Sequence, residues 1–431
     1  MKKKITDYIE KNKDWLINKV IEVTSINTIN APPKGNENNG QKLIEEIFLE
    51  MGLETDRFSP DDIPGLKEKH YYLQDRDYTN RDNIVGFTGE EQGSTLIFNG
   101  HIDTIDSSEF DWTISGALDP KLVKDRIYGM GACDMKGGII ASIFALKTII
   151  DSNIPIKGKV IIESVVDEEF GGANGSLACM ERGYTGDFAI IPEPTSMRVC
   201  VSHVGSKVFE VTVKGDTGLN YFGDKMERNN PILLSSKLIL ALKDYEDHLN
   251  SKRGKYKIYK DIKKPMNFMF SDFIAGEIGP TKILTNPLEC RLRFYVMNYP
   301  EVGEKQFNTM LFDFLKNYPE IYQNIEYGNI VFDNSFRFIE GGDMDLEVKK
   351  NKEFVDKVIN FGKELTGRDL EISAAFGGTD FFTFNNYGNT PAIVFGPGGD
   401  NLHAANEYVE LNDLIDLAKI YANLIYDYCC K

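Results

Sequence analysis

Apolar residues near the start of the chain recur at helical intervals: Ile5, Tyr8, Ile9, Trp15, Leu16 and Val20 form one stripe, predicting a first helix. A turn-rich stretch, Ala31-Pro32-Pro33-Lys34-Gly35, follows, and a second helix is predicted over about 39–51. From there the pattern alternates. Runs rich in Ile, Val and Phe at 83–87, 95–99, 160–166, 188–191 and 392–395 read as strands. Several are continuously apolar, as strands covered by helices on both faces are. Helical stretches at 137–150 and 353–365 lie between them. This alternation predicts an α/β fold on a mostly parallel sheet. The middle of the chain differs. Residues 207–214 alternate like a half-covered strand, then come a polar loop, a helix at 232–245, a strand at 289–297, a helix at 302–316 and a short strand at 330–332. That pattern predicts a small α+β sandwich at 203–334, inserted into a larger domain formed by 1–202 and 335–431.

Composition narrows the function classes. The 431 residues carry 49 Lys+Arg against 66 Asp+Glu, a net charge of −17. Nucleic-acid and anionic-membrane partners need a basic face, so the balance argues against both. The N-terminal segment starts with lysines but has no continuous apolar run of signal-peptide length. No stretch approaches the roughly 18 uninterrupted apolar residues of a membrane span. The six cysteines include no Cys-x-x-Cys pair and read as reduced thiols. The expected address is the cytoplasm.

Chemistry collects just past the predicted strand ends, where open α/β sheets bind ligands. The strand at 95–99 runs into Gly100-His101-Ile102-Asp103, and that at 160–166 into Asp167-Glu168-Glu169. The strand at 188–191 runs into Pro192-Glu193-Pro194, and that at 392–395 into a glycine-rich turn followed by His403. A further loop, Gly129 to Gly138, adds Asp134 before a helix. Each piece alone has an ordinary reading: a surface His-Asp pair, a solvated Glu-Glu, a plain turn. Their arrival at successive strand ends, in a chain with five histidines, is the composition of a paired transition-metal site. His70 and His248 lie in polar stretches and read as surface residues.

The motifs Asn99-Gly-His101-Ile-Asp103-Thr, Gly129-Met-Gly-Ala-Cys-Asp134-Met-Lys-Gly-Gly138, Asp167-Glu168-Glu169-Phe-Gly171 and Pro192-Glu193-Pro194-Thr195 resemble those of the M20 family. Gly377-Gly378-Thr379-Asp380 and Gly396-Pro-Gly398 to His403-Ala-Ala-Asn-Glu407 resemble its last two. This is a family of dinuclear-zinc metallopeptidases and deacylases, and the likeness is to its acetylornithine deacetylase and succinyl-diaminopimelate desuccinylase branch. The resemblance implies a zinc-hydrolase catalytic domain with an inserted lid and dimerisation domain. It implies one Zn2+ on His101, Asp134 and Glu193 and another on Asp134, Glu169 and His403, with Co2+ or Mn2+ as possible replacements. Asp103 is expected to fix the His101 tautomer, and Glu168 to act as general base. Asn220, Gly378, Thr379 and Gly398 are the expected substrate contacts. The implied substrate is an N-acyl amino acid or similar small amide, with a dipeptidase or carboxypeptidase on the same scaffold as the alternative and a non-catalytic metal-binding protein as the reading from another class. A glutamate at position 193 tilts toward deacylases and carboxypeptidases over aminopeptidases.

The insert departs from the family pattern. The histidine that usually follows the first lid strand is missing from Lys214-Gly215-Asp216-Thr217-Gly218-Leu219-Asn220. Where members carry Asn-x-x-Pro and Arg-x-x-Pro, this chain has Leu284-Thr-Asn-Pro287 and Met297-Asn-Tyr-Pro300. Either Asn220, Asn286, Asn298 or Arg293 substitutes, with His203 a further donor, or the substrate lacks the usual α-carboxylate, or activity is largely lost. A lid rebuilt around intact ligands is the expectation.

Overall fold

A computed structural model describes residues 1–90, 93–171, 174–216, 229–276, 286–333, 336–375 and 377–431. Internal contacts divide the chain into two units. One comprises Met1–Ser202, Asp343–Ala375 and Thr379–Lys431; the other comprises His203–Gly342 with Phe376–Gly378. The expected return at 334/335 lies outside the described residues, and the contacts change units after Gly342.

The first unit is built on a mixed sheet whose strands run in the order Val199–His203, Ala392–Val394, Phe188–Ile191, Thr95–His101, Lys159–Val165, Asn83–Gly89 and Glu54–Phe58. The four inner strands, from Ala392–Val394 to Lys159–Val165, are parallel. The flanking pairings are antiparallel. Parallel character thus sits in the centre, where the runs are continuously buried, as the apolar pattern requires. Lys159–Val165 and Phe188–Ile191 pair on opposite sides of Thr95–His101. The chain therefore crosses over at the strand that ends in His101, and the crevice of such a switch point is where α/β sheets bind ligands.

Helix Gly137–Asp151 is buried on nearly every face, which explains its run of Ile, Ala, Phe and Leu. It packs against helices Lys2–Thr24 and Leu411–Cys429, and Trp15 stacks on Phe144 with ring centroids 5.5 Å apart. Its N-terminus presses on the backbone beside Glu193. A Cβ on Gly138 would lie 2.1 Å from the Pro192 carbonyl oxygen, so only glycine permits this approach. All six cysteines are buried free thiols. Among the described residues no helix is long and apolar enough to cross a membrane.

The second unit carries an antiparallel sheet in the order Met269–Ala275, Glu289–Asn298, Gly205–Lys214 and Ile330–Asp333. Glu289–Asn298 and Gly205–Lys214 pair without a break from Gly205↔Asn298 to Lys214↔Glu289. Helix Pro231–Ser251 starts where Asn230 caps the N–H groups of Ile232 and Leu233, with proline in the first turn. Helices Glu304–Leu315 and Pro319–Glu326 follow. Phe209, Phe294 and Phe332 meet edge-on or tilted in its core.

Candidate active site

Because the inner strands are parallel, their carboxyl ends open on one edge of the sheet. His101 ends one of them, and Glu168 and Glu169 follow Val165 after a two-residue link, Val166 and Asp167, the latter with φ 66°. Glu193 follows Ile191 by two residues. Asp134 comes from an irregular turn between strand Arg126–Tyr128 and helix Gly137–Asp151. His403 stands on the loop after Ala392–Val394.

These six side chains meet. Asp134 lies between the imidazoles: Oδ1 is 3.2 Å from His101 Nε2 and Oδ2 is 3.3 Å from His403 Nε2. Glu193 Oε1 lies 3.3 Å from His101 Nε2, and Glu169 Oε2 lies 3.0 Å from His403 Nε2. Glu168 Oε2 is 3.9 Å from His101 Nε2. Two triads, His101–Glu168–Glu193 and His101–Asp134–Glu169, bring one ligand atom from each residue within 4.8 Å of the others. His101 is buried, while the His403 side chain is 47% exposed, so one end of the cluster opens to solvent.

Four carboxylates crowded around two imidazoles need positive charge. Burial pushes Glu168 and Glu169 upward, with neighbouring carboxylates adding to the effect. Burial and then Asp134 raise Glu193 to about 8. Burial opposes the charge of His403, but Glu169 and Asp134 outweigh it and lift the imidazole to about 11. His101 is held well above its ordinary value in the same way, against its burial, by Glu193 and Asp134. Glu169 Oε1 is buried without a hydrogen-bond partner. Imidazoles and carboxylates aimed at common points, with an orphan carboxylate oxygen among them, fit divalent transition-metal ions.

The expected role of Asp103 is revised by the geometry. His101 Nδ1 meets the main-chain carbonyl oxygen of Asp103 at 2.9 Å, and the Asp103 carboxylate is 3.7 Å away. That carboxylate instead accepts the backbone N–H groups of Glu168 and Glu169, both at 3.1 Å, and Asn30 Nδ2 at 2.9 Å. Asp103 therefore holds the loop that carries Glu168 and Glu169, while its backbone orients the imidazole. Behind it, Asn30 also donates to Asp167, which accepts from the Tyr78 hydroxyl and faces Arg81. Arg81 is fully buried against Glu37. A second carboxylate, Glu407, accepts the N–H groups of Gly131, Cys133 and Asp134.

The expected substrate contacts are only partly covered by the described residues. Asn220 lies outside the described residues, as do Leu219 and Leu284. Gly378 belongs to the second unit, whereas Thr379 belongs to the first and its hydroxyl accepts the Phe381 N–H at 3.2 Å. Gly398 donates its N–H to Asp413 and accepts the Glu410 N–H through its carbonyl, so both its backbone groups are engaged in the fold. Within the second unit, Arg293 pairs with Glu210 and Asp272. Asn286 donates to the Asp216 carbonyl and accepts from Asn230, and Asn298 faces Tyr245 and Tyr299. Met297 is buried. His203 is also buried, hydrogen-bonded to backbone and lowered to about 3 by burial. His70 and His248 are exposed.

Asn30, Arg81 and Tyr78 were not found by sequence reasoning. Asn30 reaches partners 73 and 137 residues away, and no local pattern announces such pairs. Glu407 carries a signal in retrospect, four residues beyond His403 inside the last motif.

The sequence profile of peptidase family M20/M25/M40 matches residues 97–427. The chain belongs to this family, whose members are metal-dependent hydrolases of amide bonds. It is 28% identical to the N-formyl-4-amino-5-aminomethyl-2-methylpyrimidine deformylase of Halalkalibacterium halodurans, over 98% of this chain and 96% of that protein. It is 26% identical to the succinyl-diaminopimelate desuccinylase of Orientia tsutsugamushi, over 80% of this chain and 83% of that one. Its fold is similar to that of the di-peptidase Dug1p of Saccharomyces cerevisiae, with a TM-score of 0.73, 13% identity and coverage of 99% and 98% of the two chains.

Proposed function

We propose that the chain is a two-metal amidohydrolase that removes a short acyl group from a small amine. One observation carries the reading: the carboxylate of Glu168 stands beside a converging set of two imidazoles and three further carboxylates. His101, Asp134 and Glu193 hold one cation and Asp134, Glu169 and His403 the other. Zinc, or the cobalt or manganese the same donors accept, supplies an acidified water and a polarised carbonyl when bound. Glu168 takes a proton from the attacking water and hands it to the nitrogen as the C–N bond breaks. Water thereby adds across the amide, and a carboxylic acid and an amine depart. Asp103 keeps Glu168 aimed by accepting its N–H.

The amine carries no α-carboxylate in the reading we favour. The lid lacks the family's usual histidine and arginine at the positions noted above. The deformylase relative aligns along 98% of the chain, against 80% for the desuccinylase. An N-formyl aminomethyl heteroarene, as that relative's name states, fits these features. An N-acyl amino acid is the second reading, favoured by Glu193 and by the desuccinylase and deacetylase relatives.

Amine release across N-formyl aminomethylpyrimidine, N-acetyl and N-succinyl amino acids and dipeptides tests the choice. We expect kcat/KM for the formylated, carboxylate-free amine to exceed the others by about tenfold to a hundredfold. A preference for N-acyl amino acids instead selects the second reading. Silence across the panel with metals bound contradicts catalysis and leaves a metal-binding protein. We also propose that the second unit forms a homodimer contact through its edge strand Met269–Ala275, where Met269, Phe273 and Ile274 are exposed.

A further inference from the structure

Beside the carboxylate–imidazole cluster, the turn that delivers Asp134 is irregular backbone. Gly131 has φ 77°, and Asp134 and Met135 depart from helical values. N–H groups in such a turn lack the repeating partners of a helix, yet buried ones need acceptors. Glu407 supplies them. Its side chain is 2% exposed. Oε2 accepts the Gly131 N–H at 2.9 Å, and Oε1 accepts those of Cys133 at 2.9 Å and Asp134 at 3.1 Å. The Glu407 carbonyl oxygen accepts the Gly129 N–H at 3.0 Å. One residue on, Tyr408 pairs with Tyr128 in antiparallel strands. The loop that carries His403 is thus stitched along the loop that carries Asp134.

We propose that Glu407 is a positioning residue that builds these two loops as one piece and so sets the Asp134 carboxylate between the two imidazoles. The inference rests on the metal centre proposed above and extends it to a residue that touches no metal. The Asp134 oxygens lie 3.2 and 3.3 Å from the two Nε2 atoms, a near-symmetric placement that a tilt of the turn would destroy. A glutamine cannot replace Glu407, because its amide has one acceptor oxygen and a donor nitrogen. In either orientation the NH2 group faces at least one backbone N–H, and a hydrogen bond becomes a donor–donor contact.

Titrating metal-free protein with Zn2+ by calorimetry, for the parent and Glu407→Gln, is the test. We expect the variant to bind about tenfold to a hundredfold more weakly, with kcat falling and KM unchanged. Amide exchange across residues 129–136 of the metal-free parent gives a readout that needs no variant. The three clamped amides should exchange slowly in the parent, and in Glu407→Gln they should exchange quickly. Parental zinc affinity in the variant overturns the role of Glu407, as does fast exchange of these amides in the parent. A parent that takes up no zinc overturns the metal centre and this inference with it.

Discussion

A buried carboxylate needs a proton, a cation or a ring of N–H donors, and the first unit supplies all three. Asp103 and Glu407 accept backbone N–H groups, each holding a loop that bears functional side chains. Glu37 faces Arg81. Among the described residues Glu163 pairs with no cation: Asn99 Nδ2 donates to it at 2.8 Å, its other oxygen is unpartnered, and burial pushes it up to about 8. Folded Glu163 therefore keeps its proton in a range where the unfolded chain, near 4.5, has lost it. Its contribution to stability is fully present below about pH 4.5 and is lost as pH rises through about 8. Glu163→Gln should flatten the decline in urea-unfolding stability between these limits, and equal slopes in parent and variant would refute the assignment. This acid was not legible in the sequence, since one Glu inside an apolar run has no local partner. The convergence of the clustered residues was legible for the opposite reason. His101, Glu169, Glu193 and His403 each stand just past an apolar run, and the few histidines left little choice. The Asp103 role was half legible: His-x-Asp gives proximity, but only the fold tells whether carboxylate or carbonyl faces the ring.

Strand ends and strand edges do different work. The four parallel strands deliver the clustered side chains from their carboxyl ends, and their continuous burial is what made them readable from residue type alone. The antiparallel margins were not readable, because apolar runs do not carry strand direction. Strand Met269–Ala275 went unread altogether. It reads Met-Phe-Ser-Asp-Phe-Ile-Ala, has no clean period of two, and sits at the edge of its sheet with most side chains exposed. Such an edge offers unpaired backbone groups to another chain. Exposed Met269, Phe273 and Ile274 make a second copy the occupant we propose. Sedimentation equilibrium should give twice the chain mass of 48.7 kDa for the parent and the single mass for Ile274→Lys. A parent at the single mass would refute the pairing.

At the scale of the whole molecule, the first unit keeps the motifs that resemble the family's while the insert departs from its usual lid pattern. Division of labour explains how both can hold: in the function proposed above, the hydrolytic step is set by the clustered carboxylates and imidazoles, and substrate choice by what surrounds them. The family was legible because its motifs lie in short stretches of the first unit. The substrate was not, because it depends on side chains brought together only by folding, and Asn220 and Leu284 lie outside the described residues. In the function proposed above, Glu168 moves the proton and does not hold the metals. Metal content and amine release measured together on zinc-loaded Glu168→Ala test this most directly. The account predicts two metal ions per chain, as in the parent, with turnover reduced by about a hundredfold to ten-thousandfold. Parental turnover would contradict it, and so would loss of the metals along with activity.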